Sequence, residues 1–306
     1  MTGGSGYLGS VLVGTLLRQG FQVTVLDNLL YGQASLLSYC SHPAFEFVRG
    51  DARDERVLAE AVRGQDAVIP LAAIVGAPAC DRDPLAARSV NLDAIRLLDQ
   101  LRARSQAVVW PCTNSGYGTK SGDVHCTEAT PLEPISLYGR TKVEAEAALL
   151  ESGEAVSLRL ATVFGPSPRM RLDLLVNDFV HRAVTEGTLV IYEGHFKRNF
   201  VHIEDVADCF VHCLRRFADL KGEAYNVGLD EANLSKQELA EKIRLRVPTL
   251  QIVAADKGSD PDQRNYIVSN EKLRRKGFVA RRSLEDGIRQ LIRAYQMLPR
   301  GPFANA

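Results

Sequence analysis

Apolar and polar positions along the first half of the chain alternate between a helical and an extended period. Residues 7–19 carry apolar side chains at helical spacing after a glycine turn, and FQVTVLD (21–27) is an apolar run ending on an acid. That order predicts a helix, then a strand. VLAEAVRG (57–64) reads as a helix end with Gly64 as its C-cap, and DAVIPLAA (66–73) as a buried strand. PLAARSVNLDAIRLLDQLRAR (84–104) predicts one long helix with Pro84 in its first turn. AVVWPCT (107–113) predicts a strand, SLYGRTKVEAEAALLES (136–152) a helix, and AVSLRLATVFG (155–165) a strand. Strands that are mainly apolar, alternating with helices, imply a parallel sheet covered on both faces. The expected class is α/β, a Rossmann-type doubly wound parallel sheet.

From residue 166 the pattern becomes irregular, with Pro166, Pro168, a helix near 173–187 and scattered shorter elements. Residues 1–165 are expected to form the sheet domain and 166–306 a smaller C-terminal region. The two should interleave around 200–228, because 203–217 and 223–228 read as a further helix and strand of the same sheet. A glycine turn of this kind follows a strand, and only Met1 and Thr2 precede it. That strand is central in the order 3-2-1-4-5-6. The first strand is therefore expected to be truncated, with a few residues missing from the natural start.

Composition narrows the function classes. The 306 residues are 45% hydrophobic and 24% charged, an ordinary globular balance. Lys plus Arg and Asp plus Glu are 37 each, so no global field draws the chain to nucleic acid or a membrane surface. No apolar run approaches the ~18 residues of a spanning helix, and the start lacks a signal-peptide pattern, so a cytoplasmic protein is expected. The six cysteines contain no C-x-x-C pair and are expected to be free thiols, with no metal site.

Two constellations carry chemistry. Gly3, Gly6 and Gly9 open the first helix at three-residue spacing, which lets backbone approach a pyrophosphate seated on the helix N-terminus. Asp27 ends the next strand, placed to bond ribose hydroxyls and to repel a 2′-phosphate, which favours NAD over NADP. Tyr138 and Lys142 stand at i and i+4, on one helix face. A free tyrosine titrates at roughly 10, and a nearby cation stabilises its phenolate. With Thr113 as hydrogen-bond partner, the pair suits general acid/base work on an alcohol.

TGGSGYLG, Asp27-Asn28-Leu29, Gly50-Asp51, Leu71-Ala72-Ala73, Asn91, Thr113, Tyr138-x-x-x-Lys142 and Arg198-Asn-Phe-Val-His fall in order across nearly the whole chain. In this the sequence resembles the extended short-chain dehydrogenase/reductases of the NAD-dependent epimerase/dehydratase type. The resemblance implies an enzyme that acts on nucleotide-diphospho-sugars, oxidising sugar C4 with NAD. The cofactor set it implies is Gly3, Gly6, Tyr7, Leu8 and Gly9 at the pyrophosphate, Asp27 and Asn28 at the ribose, and Asp51 with Ala52 at the adenine. Leu71, Ala72, Ala73 and Asn91 complete it, with Tyr138 and Lys142 beside the nicotinamide ribose. Thr113, Tyr138 and Lys142 would be catalytic. On the substrate side it implies Thr113, Asn114, Ser115, Thr162 and Asn177, the loop arginines Arg169 and Arg171, and Arg198 and Arg264 near the diphosphate. Arginine suits such an anion clamp. The family also forms homodimers through helices corresponding to 84–104 and 136–152.

Branches of that family diverge by the groups after the catalytic threonine. Dehydratases place carboxyls there; this chain has Asn114 and Ser115, neither of which shuttles a proton at neutral pH. Dehydration across C5–C6 would need Glu128, Glu133 or another loop acid as a substitute. What remains is 4-epimerisation or oxidation and reduction at C4. The segments 69–80, 111–118, 160–179 and 260–270 are similar to the GDP-heptose 4-dehydrogenase branch. Thr162 stands where the family has a substrate-contacting asparagine. His195, His202, Trp110 and Tyr117 read as packing residues. A non-catalytic NAD-binding sensor is the contrasting class, and the intact Thr113, Tyr138 and Lys142 weigh against it.

Overall fold

The computed structural model describes residues 1–32, 34–120, 125–255 and 265–298. Its main sheet is parallel and is built from β1 (Val23–Asp27), β2 (Phe45–Arg49), β3 (Ala67–Val68), β4 (Ala107–Thr113), β5 (Ala155–Leu160) and β6 (Glu223–Val227). Between β1 and β3 lie the first residues of the chain: Thr2 bridges Leu26 on one side and Pro70 on the other. The order is therefore β2-β1-(Met1–Gly3)-β3-β4-β5-β6. The short central segment is pinned by Gly3 N donating to Leu26 O at 2.8 Å and Leu71 N donating to Thr2 O at 2.9 Å.

Helix α1 (Tyr7–Arg18) covers one face, together with α5 (Ile203–Arg215). Leu12, Val13, Val25, Val109, Val156, Phe210 and Tyr225 are fully buried between these layers. Each such side chain contributes roughly 1.5–3 kcal/mol on leaving water. The other face is covered by α2 (Ala94–Leu101) and α3 (Leu137–Glu151), with Leu92, Ile95, Trp110, Ala145 and Leu149 in the seam. β6 pairs with β5 in register Tyr225↔Leu158. A second apolar cluster gathers Phe164, Phe200, Leu239 and Leu291 around α4 (Leu175–Thr185).

Three elements differ from the sequence expectation. On its β4 side the strand expected at 66–73 pairs only over Ala67–Val68; Pro70 has no N–H to offer, while on the other side Ile69 and Leu71 stay bonded to Thr2. The helix expected over 84–104 is interrupted by a wide turn at Ser89–Asp93 between Pro84–Arg88 and α2. Such widened turns turn a side chain inward, here the buried Asn91. The strand expected over 155–165 divides at Ala161: β5 stays in the main sheet, whereas Thr162–Phe164 pairs with Lys197–His202. All six cysteines are free thiols. Among the described residues no helix is long and apolar enough to cross a membrane.

Candidate active site

A cavity of about 750 Å³ opens at the carboxyl ends of the main strands, where open α/β sheets hold ligands. One end is the glycine turn. Gly3 adopts φ +69°, and a Cβ there would stand 2.5 Å from Ala72 N, so the backbones of the two loops touch. Gly6 is the N-cap of α1 and offers no side-chain cap, while Tyr7 and Leu8 border the cavity. The first N–H groups of the helix thus face the cavity with no acid in the first turn, a seat for an anion. Asp27 organises the neighbouring loop: one carboxylate oxygen accepts from Ser5 N at 2.9 Å, the other from Leu29 N at 2.8 Å. Leu29 takes the left-handed conformation, φ 56°, inside this turn. Asp51 is clasped by Arg53, 2.6 Å from its guanidinium, which holds the carboxyl low, at about 2.

At the cavity floor β4 ends on Thr113, whose Oγ1 lies 2.9 Å from Ser115 Oγ and accepts from Ser115 N at 3.1 Å. Ser136 caps α3 by accepting from Gly139 N at 3.1 Å. That cap starts the helix so that Tyr138 and Lys142, one turn apart, both border the cavity with Thr113. Lys142 is buried, and burial lowers its pKa to about 7.

The far wall carries three buried arginines, Arg169, Arg171 and Arg198. Arg171 pairs with Asp173, Nε to Oδ1 at 3.1 Å. Arg169 stacks its guanidinium 4.2 Å from the Tyr31 ring, and its Nε is bonded to no described residue. Burial and the neighbouring Arg171 charge push the Arg169 pKa down, a field that an anion would relieve. Thr162 Oγ1 is likewise buried and bonded to no described residue.

The structure brings most of the sequence-derived residues together. Gly3, Gly6, Tyr7, Leu8, Gly9, Asp27, Asn28, Asp51, Ala52, Leu71, Ala72 and Ala73 border the cavity at its glycine end. Thr113, Ser115, Tyr138, Lys142, Thr162, Arg169, Arg171 and Arg198 border the remainder. Three stand behind the lining instead. Asn91 grips the loop above it, accepting from Ile74 N at 2.8 Å and donating to Ile74 O at 2.9 Å. Asn177 accepts from Gly165 N and donates to Arg171 O and to Tyr7 Oη. Asn114 is buried with neither amide atom bonded to a described residue. Arg264 lies outside the described residues. The sequence reading missed Tyr31, Asp173, Asp178 and the loop 74–79, all at the cavity. Asp173, two residues after Arg171, was detectable as a charge pair; Tyr31 sits in a loop with no periodicity to mark it.

The N-terminus of α1 and the loop at 165–167 are joined directly. Tyr7 Oη donates to Gly165 O at 2.7 Å, and Ser167 Oγ donates to Tyr7 O at 2.7 Å.

Residues 1–228 match the NAD dependent epimerase/dehydratase family. The chain belongs to this family. NAD is the family's cofactor, and the open helix N-terminus, the Gly3–Ala72 contact and Asp27 fit it. Among relatives of the epimerase/dehydratase family, the low-salt glycan biosynthesis protein Agl12 of Haloferax volcanii is 30% identical over 96% of this chain and 97% of its own. The UDP-glucose 4-epimerase of Lactobacillus helveticus is 27% identical over 89% of this chain and 88% of its own. The structure of DesIV, a dTDP-glucose 4,6-dehydratase from Streptomyces venezuelae solved with NAD, superposes with a TM-score of 0.83 at 28% identity, covering 97% and 96% of the two chains.

Proposed function

We propose that this protein oxidises C4 of a nucleotide-diphospho-sugar and does no 4,6-dehydration. The first reading is a 4-dehydrogenase, with a GDP-heptose as its candidate substrate. The observation that carries the reading is the state of the acids. Neither of the two loop carboxyls that would have to replace the missing dehydratase pair, Glu128 and Glu133, lines the cavity. Glu128 Oε1 accepts from Asn226 N at 2.8 Å, and Glu133 meets Lys120 at 2.5 Å on the surface. Among the described residues the acids at the cavity are Asp27, Asp51, Asp83, Asp173 and Asp178. Each is engaged: Asp27 by Ser5 and Leu29, Asp51 by Arg53, Asp83 by Ala86 N, Asp173 by Arg171, Asp178 by Arg182.

In this reading the glycine turn and the α1 N-terminus hold the NAD pyrophosphate, and Asp27 and Asn28 hold the ribose. Bound NAD supplies the hydride acceptor. Arg169, Arg171 and Arg198 hold the substrate diphosphate by charge-assisted hydrogen bonds. Thr113 Oγ1 positions the C4 hydroxyl, Tyr138 Oη removes its proton, and the Lys142 ammonium stabilises the phenolate that does so. Release of the oxidised sugar makes a dehydrogenase. Retention until the hydride returns to the opposite face makes a 4-epimerase, the second reading, favoured by the relatives that carry that name. Incubation with UDP-, dTDP- and GDP-sugars and a GDP-heptose, followed by NMR, separates the readings as 4-keto or epimeric product. A 4-keto-6-deoxy product would refute the argument from Asn114 and Ser115.

A further inference from the structure

Lys142 poses an energetic problem that its position alone does not solve. Its ammonium is buried, and a buried charge without a partner is costly. Among the described residues no carboxylate pairs with it. Glu146, one turn along the same helix, is taken by Arg159 at 2.7 Å and by Ser157 at 2.5 Å. The other titratable groups facing it are Cys112 from β4 and Cys80 from the helix Ala77–Arg82, and Tyr138 from its own helix borders the same cavity. Burial drives the Cys80 thiol up to about 11 and Cys112 higher still, so both are neutral at physiological pH.

What lies against the ammonium is an aromatic face. Lys142 Nζ sits 3.5 Å from the centroid of the Trp110 ring. Trp110 is completely buried on β4, on the side that meets α3, and its Nε1 is bonded to no described residue. The ring therefore works here as a π surface and not as a hydrogen-bond donor. A cation over indole is attracted by the ring quadrupole, most strongly when water is excluded.

We infer that Trp110 is a positioning residue for the Tyr138–Lys142 pair: its indole face fixes the Lys142 ammonium at the cavity floor and keeps it charged. The inference rests on the proposed role of that pair. Burial leaves the lysine titrating near neutrality, so a small loss of support at Trp110 discharges it and withdraws its effect on Tyr138. Loss of a desolvated cation–π contact corresponds to about one pH unit of lysine titration.

The test needs only the proton as probe. Trp110 is the chain's single tryptophan, so its emission reports one environment. The wild-type protein should show an emission change with a midpoint near pH 7 that Lys142→Met lacks. Coincident emission curves for the two proteins would overturn the inference, and this comparison stands even if a Trp110 variant fails to fold. Tyrosinate absorbance, read as the difference from Tyr138→Phe, reports the Tyr138 phenolate. In Trp110→Leu it should appear about one unit higher in pH than in wild type, and in Trp110→Phe less than half as far. An unshifted phenolate in a folded Trp110→Leu protein would reduce Trp110 to packing. If Lys142→Met leaves the phenolate unshifted as well, the Tyr138–Lys142 reading itself falls.

Discussion

The guanidinium of Arg159 clasps the Glu146 carboxylate at 2.7 Å, one turn beyond Lys142 on the helix that carries Tyr138 and Lys142. Both side chains are almost inaccessible, 8% and 4%. Arg159 also donates to Tyr117 Oη at 3.1 Å, and Tyr117 donates to Asn226 at 2.7 Å, so the contact ties α3 to the strands beneath it. Glu146→Gln should cost about 3–5 kcal/mol, because it strands a buried guanidinium without its counter-charge. Urea unfolding at pH 7 measures it, and a loss under about 1 kcal/mol would show that solvent reaches Arg159.

Tyr138→Phe keeps the ring and removes the proton acceptor. Hydride transfer to NAD should fall by about 10²–10⁴-fold, while NAD affinity measured by calorimetry stays within a few fold. Turnover near the wild-type rate would remove Tyr138 from the chemistry.

Lys142 links function to a stability cost with a definite sign. Unfolded, its ammonium holds a proton up to about 10.5; folded, burial reduces that to about 7. Between those values unfolding takes up a proton, so stability rises with pH across the window. Lys142→Met should lose that rise and gain roughly 2–4 kcal/mol at pH 7. Parallel denaturant titrations of the two proteins at pH 7 and pH 9 give the comparison; equal pH slopes would contradict it.

Gly3 and Gly20 both have positive φ, +69° and +83°, but only Gly3 is hemmed in. A Cβ at Gly20 meets nothing within 4 Å, whereas one at Gly3 meets Ala72 backbone at 2.5 Å. Gly20→Ala should cost about 1–2 kcal/mol, the left-handed penalty alone. Gly3→Ala should cost more than that and weaken NAD binding at least tenfold, since the loops must part. Thermal melts with and without NAD distinguish the two.

The main sheet and the place of Tyr138 and Lys142 at the cavity were legible because their signals are local. The runs at 107–113 and 155–160, apolar except at Thr113, Ser157 and Arg159, became buried strands, and the i, i+4 spacing placed Tyr138 and Lys142 at one cavity. The misreadings came where tertiary contacts decide. Apolar content at 66–73 did not reveal that Pro70 would end the pairing with β4, and helical periodicity through 84–104 concealed the wide turn that aims Asn91 at Ile74. Asn91, Asn114 and Asn177 hold or underlie the loops around the cavity, a distinction that residue type and spacing do not encode.

The bonds from Tyr7 to Gly165 and from Ser167 back to Tyr7 have a thermodynamic reading. They make the N-terminus of α1 and the start of the loop that carries Arg169 and Arg171 a single mechanical unit. Ordering one orders the other, so the conformational entropy is surrendered once for two ligands. Dinucleotide and nucleotide sugar should then raise one another's affinity by the same factor, as linkage requires, and Tyr7→Phe combined with Ser167→Ala, which removes both bonds, should weaken that coupling without emptying either site.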